Sequence, residues 1–206
     1  MGRASWIFGC GVARQLGHFT RQYPGNHYFA CDIDDSSIAF IRRAYPAVES
    51  YTNRFSPPLK YDDATFDMVY SVSIFSHLNP LDQGAWLEEL SRVTKSGGHL
   101  FLTTEGYSTL KRLAPTFGHD EAALSEVVAR EGVLYKEYEG WKSDVDHQQT
   151  LRVASSLVGV ERSYGNTILG PDWIRDNWST ADLSVVQIVE GIIDHSQDLV
   201  VLRKGA

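Results

Sequence analysis

The sequence predicts an α/β fold built on a mostly parallel sheet. Short apolar, strand-like runs alternate with amphipathic helical stretches, and the first run ends in a pair of glycines where a helix begins. The last two runs are separated by only eight residues, a loop that permits an antiparallel pair but no parallel crossover. With 206 residues, of which 43% are hydrophobic and 22% charged, the chain has the composition of one globular domain.

The elements of the first half follow from apolar spacing and from turn residues. Asp32 ends the second strand, Ser36 is the predicted cap of the second helix, and Pro46 ends that helix. The predicted elements are a strand at 6–8, a helix with Val12, Leu16 and Phe19 on one face, and strands at 27–31, 47–51 and 66–72.

The second half has equally clear boundaries. Asn79 followed by Pro80 predicts a helix start, and the helix is expected to run to Lys95 and to stop at the glycines of 96–98. A fifth strand at 99–104 follows. The runs at 183–189 and 198–202 are the predicted antiparallel pair, so the last strand is reversed.

Residues 106–182 interrupt this alternation. They contain a predicted helix at 120–131 and a short helix after Gly170-Pro171, with Trp141, Trp173 and Trp178 as a substrate wall or as the segment's own small core. So long an insertion is more often functional than idle. We therefore predict one domain, 1–206, with a cap insertion at about 106–182.

Charge and composition exclude several classes of protein. The net charge of -7 and the lack of a basic stripe argue against a nucleic-acid partner. No apolar run approaches the length of a membrane span, and the N-terminus lacks a signal-peptide pattern. Cys10 and Cys31 form no disulfide framework, so we expect a cytoplasmic protein.

The turn Gly9-Cys10-Gly11 between strand and helix is typical of a nucleotide-cofactor site. Glycines let the backbone approach a ligand, and Asp32, 21 residues after Gly11, is placed to accept hydrogen bonds from both ribose hydroxyls. A dinucleotide fingerprint would need a third glycine where Arg14 stands. The alternative is that the two glycines merely close a tight turn.

Further motifs make the sequence resemble the class I S-adenosylmethionine-dependent methyltransferases. The matching residues are 8–14, 30–34, 57–59, 63–71, 75–78 and 86–98, and 194–202 is similar to the tails of bacterial methyltransferases that modify glycans or metabolites. The resemblance implies a Rossmann-like fold with a mostly parallel seven-stranded sheet, a reversed last strand and helices on both faces. It also implies S-adenosyl-L-methionine as the cofactor.

The resemblance assigns a role to each matching position. Gly9, Cys10 and Gly11 would line the methionine part of the cofactor, Asp32 would hold the ribose, and Ile33 would lie beside the adenine. The other implied cofactor residues are Asn53 and Arg54 at the adenine, and Ser71, Val72 and Ser73 beneath the sulfonium.

Two features depart from the family pattern. The acidic residue usual two places before the first glycine is Ile7, which removes a carboxylate near the cofactor's ammonium group. The first strand begins almost at Met1, where family members carry a helix or more. Either sequence is missing there, or a second chain, as in a homodimer, covers this edge.

Methyl transfer from a sulfonium needs alignment and exclusion of water more than it needs catalytic groups. A general base is needed for a hydroxyl or protonated amine acceptor, and His77 is the candidate, with a loop-holding role as its alternative. Glu105 ends the fifth strand in the same crevice and either acts there or orients a turn.

Asp144, Asp146 and His147 are predicted to be a solvated loop, so no metal site is expected.

The sequence therefore predicts a methyltransferase that acts on a small-molecule acceptor, with an oxygen of a sugar or related metabolite as the first candidate. A nicotinamide-dependent (NAD(P)) oxidoreductase is the alternative enzyme, opposed by Arg14 and by the reversed last strand. A degenerate methyltransferase fold that only binds a ligand is the third alternative, and Ile7 favours it.

Overall fold

The structure is a computed structural model that describes residues 2–138 and 164–206. Trp141, Asp144, Asp146 and His147 lie outside the described residues. In chain order the strands and helices are β1 Ala4–Phe8, α1 Leu16–Gln22, β2 His27–Asp32, α2 Asp35–Ala44, β3 Glu49–Thr52, β4 Phe66–Ser71, α3 Pro80–Val93, β5 Thr94–Glu105, α4 Leu110–Phe117, α5 Glu121–Glu131, β6 Val133–Glu137, β7 Gly165–Leu169, α6 Pro171–Trp178, β8 Leu183–Ile193 and β9 Gln197–Lys204.

Seven of the strands form the expected sheet, in the order β3-β2-β1-β4-β5-β9-β8. The first five are parallel, and β9 runs antiparallel to both of its neighbours, so the predicted reversed last strand is confirmed. Two strands were not predicted. β6 and β7 form an antiparallel hairpin whose Ile168 pairs with Glu105 at the end of β5.

Alternation along β1 separates two hydrophobic cores. Trp6 and Phe8 point to the face covered by α3 and α6, while Ile7 points to the face covered by α1 and α2. Helices therefore cover both faces of the sheet, as predicted. Because parallel strands end at one edge, the residues after β1, β2, β4 and β5 meet at the carboxyl edge of this sheet.

Three predicted boundaries are wrong for local reasons. Residues 12–15 are turn rather than helix, since Ala13 adopts a φ of 55° and Val12 is 53% exposed. Asp34, not Ser36, caps α2, because its carboxylate accepts the Ser36 and Ser37 amides. The helix α3 ends at Val93, and the residues expected to stop it, 96–98, already belong to the long strand β5.

The described parts of 106–182 pack against the carboxyl edge of the sheet. The predicted helices there are present as α5 and α6, and α4 is an additional one. β7 also contacts the loop after β4, because the Gly165 and Thr167 amides donate to the His77 and Ser76 carbonyls at 3.0 and 2.9 Å. Part of the segment expected to be a cap thus lies directly beside His77.

Candidate active site

The glycine turn after β1 needs its glycines. Gly9 and Gly11 have φ values of 66° and 48°, a region that side chains disfavour. A Cβ on Gly9 would also lie 2.3 Å from the side chain of Ile74, which belongs to the loop after β4. The Cys10 amide donates to the Cys31 carbonyl at 3.0 Å and ties the turn to β2. The turn therefore packs backbone directly against its neighbours.

Asp32 is tied to the same turn. Its Oδ2 accepts the Gly11 amide at 2.7 Å, and its Oδ1 accepts the Asp34 amide at 2.9 Å. Burial raises the pKa of this carboxyl above its ordinary value of 3.8, while the backbone amides act in the opposite direction. A carboxylate offers about four acceptor positions, and the Ile33 amide also acts on this carboxyl, so at least one position is left for a further donor.

A cleft of about 420 Å³, including its open mouth, lies between Asp32 and the loop after β4. Its lining residues are Phe8, Gly9, Asp32, Ile33, Asn53, Phe55, Ile74, Leu78, Trp86 and Tyr164. Asn53 is 7% exposed; its Nδ2 donates to the Arg54 carbonyl at 2.7 Å, and its Oδ1 has no hydrogen-bond partner among the described residues. The side chain of Arg54 is exposed and does not line the cleft. We call this space the first cleft.

A second cleft of about 550 Å³, including its open mouth, lies on the other side of Gly9. It is lined by Ile7, Gly9, Cys10, Gly11, Val12, Ala13, Arg14, Gln15, Tyr70, Val72 and Ser73. The structure thus brings Cys10, Gly11, Val72 and Ser73 together, while Ser71 is fully buried and lines neither cleft. Burial strongly raises the pKa of the Cys10 thiol, so this cysteine is not a nucleophile at neutral pH.

His77 is held by backbone and by an aromatic ring. Its Nδ1 lies 2.9 Å from the Gly165 carbonyl oxygen, which only accepts, so Nδ1 carries the proton and Nε2 of the neutral ring is an acceptor. Burial lowers the pKa of His77 below its ordinary 6.5, and Arg112 lowers it further. The ring stacks on Tyr164 at 4.6 Å between centroids, so it lies next to the first cleft without lining it.

Glu105 ends β5 and is 3% exposed. One carboxylate oxygen forms an ion pair with Arg112 at the start of α4, and Oε2 has no partner among the described residues. Burial raises the pKa of Glu105, while Arg112 opposes this rise. Arg112 pairs with Glu105 and its charge also lowers the pKa of His77, so it acts on both candidate catalytic side chains.

This donor set fits an adenosine-containing cofactor. Gly9 lacks a side chain at the junction of the clefts, Asp32 has an acceptor position left for a ribose hydroxyl, and among the described residues the buried Oδ1 of Asn53 has no donor. Within residues 2–138 and 164–206, no group of three or more His, Cys, Asp or Glu side chains could hold a metal ion. No helix in that part of the chain is long and apolar enough to cross a membrane.

Sequence reasoning missed several residues that shape the site. Phe55, Ile74, Trp86 and Tyr164 line the first cleft, and Arg112 pairs with Glu105. Phe55 lies two residues after Asn53, in the loop after β3, and this position in the sequence could have indicated that it lines the first cleft. Tyr164 reaches the site only through the β6–β7 hairpin, which the sequence did not reveal.

Comparisons with known proteins agree with this geometry. The family described as "Methyltransferase domain" matches residues 7–102. The chain is 32% identical over 110 residues to malonyl-[acyl-carrier protein] O-methyltransferase from Herminiimonas arsenicoxydans, covering 53% of this chain and 40% of that protein. A Mycobacterium tuberculosis protein described as a probable S-adenosylmethionine-dependent methyltransferase is 32% identical over 75 residues, 36% of this chain and 26% of that one. The matched part thus spans less than half the length of these relatives.

The fold is shared more widely than the sequence. An S-adenosylmethionine-dependent methyltransferase from Methanosarcina mazei superposes with a TM-score of 0.64 at 14% identity, over 99% of this chain and 93% of that one. The family match runs from β1 into β5 and includes the glycine turn, Asp32 and the loop that carries His77. The family match and the shared fold support a class I S-adenosylmethionine-dependent methyltransferase with S-adenosylmethionine as the cofactor.

Proposed function

We propose that this protein transfers a methyl group from S-adenosylmethionine to an oxygen of a small-molecule acceptor. The observation that carries the proposal is the arrangement of Asp32 at the end of β2, against the glycine turn and in the lining of the first cleft. The acceptor lies between the strand ends and the 106–182 segment, which serves as a cap of a single domain.

The first cleft holds the adenosine. Asp32 accepts hydrogen bonds from the ribose hydroxyls, Ile33 packs on the adenine, and Asn53 Oδ1 accepts its exocyclic amine. The second cleft takes the methionine portion, between Gly11 and Ser73. When bound, the cofactor supplies a sulfonium methyl that is already a strong electrophile. The protein's part is to align it and to exclude water.

His77 and Glu105 act on the acceptor. Nε2 of His77, left unprotonated because Nδ1–H donates to Gly165, takes the proton from the acceptor hydroxyl. Oε2 of Glu105, which has no partner within residues 2–138 and 164–206, orients a second polar group of the acceptor, which favours a polyhydroxylated compound such as a sugar. An oxygen acceptor also agrees with the activity for which the Herminiimonas relative is named, that of an O-methyltransferase.

The remaining expectations follow from charge and cysteine state. The net charge of -7 supports a small-molecule partner over nucleic acid. Cys10 and Cys31 are free thiols, which supports a cytoplasmic location. The proposal also includes a homodimer, in which a second copy of the chain covers the edge at the start of β1. Buried Ile7 in the second cleft, where the family has an acid, favours a ligand-binding module without turnover as the second candidate.

Calorimetric titration with S-adenosylhomocysteine tests the cofactor, with NADH as a parallel titration. We expect micromolar binding of S-adenosylhomocysteine alone. Binding of NADH alone would favour the oxidoreductase, and binding of neither ligand would overturn the proposal.

Turnover is tested separately by release of S-adenosylhomocysteine in the presence of sugars, sugar acids and amines. We expect release with hydroxyl acceptors and none with amines. Binding without release for any acceptor would identify the binding module.

A further inference from the structure

We propose that Gln197, the first residue of β9, is a positioning residue for the cofactor site. It holds Ser73 in a left-handed backbone conformation and thereby places Ile74 against the glycine turn. The inference rests on the proposed function, because its consequence is expressed in cofactor binding.

Ser73 adopts a conformation that it would not choose alone. Its φ is 62°, in the region where a Cβ clashes with the backbone and where glycine is the usual residue. Non-glycine residues persist there only when their surroundings hold them. The surroundings of Ser73 are therefore expected to contain specific restraints.

Those restraints are four hydrogen bonds that join three elements. The Ser73 amide donates to Thr103 Oγ1 on β5 at 2.8 Å, and that hydroxyl donates to Gln197 Oε1 at 2.7 Å. Ser73 Oγ donates to Gln197 Oε1 at 3.0 Å and accepts from Gln197 Nε2 at 2.8 Å. Thr103 and Gln197 each bond to both other members through the side chain, and Gln197 takes part in three of the four bonds.

The backbone conformation of Ser73 affects the shape of both clefts. Ser73 itself lines the second cleft, opposite Gly11. The next residue, Ile74, lines the first cleft, and its side chain occupies the space beside Gly9 that a Cβ would need. A change in φ at Ser73 would swing Ile74 relative to Gly9 and alter the junction between the clefts. Gln197 lines neither cleft, so it acts through Ser73.

The side chain of Gln197 is not required for sheet pairing. Gln197 pairs with Glu105 through the backbone ladder of β5 and β9, which any side chain permits. A purely structural role would thus leave the cofactor site unaffected by loss of the amide. Gln187, an exposed glutamine on neighbouring β8, supplies a matched control.

The test compares Gln197→Ala, Gln187→Ala, Ser73→Gly and the double variant Gln197→Ala/Ser73→Gly. The readouts are the Kd for S-adenosylhomocysteine and the urea midpoint of the ligand-free protein. We expect Gln197→Ala to raise the Kd at least tenfold and Gln187→Ala to change it less than twofold. Because glycine accepts a φ of 62° without support, the double variant should bind at least threefold more tightly than Gln197→Ala alone.

The ligand-free measurement is independent of the proposed function. Ser73→Gly should lower the urea midpoint in the wild-type background, where it removes hydrogen bonds, and raise it in the Gln197→Ala background. Unchanged binding in Gln197→Ala, or a double variant no better than Gln197→Ala, overturns the inference while the proposed function stands. A wild type that binds no S-adenosylhomocysteine overturns the proposed function and the cofactor role of Gln197, whereas the midpoints still report whether Gln197 restrains Ser73.

Discussion

Replacing Asp32 by asparagine is expected to weaken binding of S-adenosylhomocysteine by about two orders of magnitude. Both carboxylate oxygens already accept a backbone amide, from Gly11 at 2.7 Å and from Asp34 at 2.9 Å. The Ile33 amide also acts on this carboxylate, so the two ribose hydroxyls share what remains of its about four acceptor positions. Asparagine removes the charge and turns one oxygen into a donor, which then faces a backbone N–H.

The size of the effect follows from that count. Hydrogen bonds to a charged group contribute about 1.5 to 3 kcal/mol each, so loss of two ribose bonds at the lower end removes about 3 kcal/mol. At 1.4 kcal/mol per decade, this is a rise in Kd of about 100-fold. Part of the effect comes from the glycine turn, because the side chain of Asp32 also holds Gly11.

Calorimetric titration of Asp32→Asn with S-adenosylhomocysteine measures this rise in Kd, and Asp35→Asn is the matched control. Asp35 lies three residues further on, at the start of α2, and its carboxylate accepts from Thr52 Oγ1 rather than facing the cleft. We expect less than a threefold change in the control. A Kd for Asp32→Asn within threefold of the wild type would refute the assignment of Asp32 to the ribose.

Three other variants test separate parts of the structure. His77→Gln should lower kcat for a hydroxyl acceptor by about 100-fold or more, with little change in the Kd for S-adenosylhomocysteine. The wild-type rate should rise with pH below 6.5 and then level off, because burial lowers the pKa of this base. An unchanged kcat in the variant contradicts the role of His77 as the base. Gln83→Leu should cost at least about 2 kcal/mol of unfolding free energy in urea, because Gln83 bonds two carbonyls of the loop after β4 and the Trp178 indole, all buried. Arg92→Ala should cost about 1 to 2 kcal/mol, because the buried Glu89 carboxylate loses its cationic partner and keeps only the Leu59 amide. Burial raises the Glu89 pKa, but its bonds with Arg92 lower it below 4.5, so this stabilisation is present above pH 4.5 and disappears as the pH falls; equal acid unfolding of variant and wild type speaks against it.

Elements with a strong local signal were predictable from the sequence. Asn79-Pro80 begins α3, Asp120 caps α5, and the short loop before Gln197 implies the antiparallel β8–β9 pair, all features decided within a few residues. The wrong boundaries arose where tertiary contacts decide. Ala13 takes a positive φ after the glycine turn, which propensity does not reveal.

In the candidate site too, features decided by local spacing were predictable, and features decided by tertiary contacts were not. The spacing between Gly11 and Asp32 predicted their proximity, and the Gly11 amide does bond to Asp32. The position of Tyr164 in the site could not be predicted, because it depends on the antiparallel pairing of β6 with β7. In the sequence 27 residues separate the end of β6 at Glu137 from the start of β7 at Gly165. Arg112 joins Glu105 through a turn geometry that the sequence pattern does not encode.

The position of β9 also has a consequence for the order of folding during synthesis. It follows every other strand of the sheet along the chain, yet it lies between β5 and β8 rather than at the margin. Until it emerges from the ribosome, the backbone groups of β5 from His99 to Glu105 lack their antiparallel partner, an open edge that invites pairing with other chains. Ribosome stalling or early termination before Gln197 would therefore favour aggregation of the nascent protein over folding.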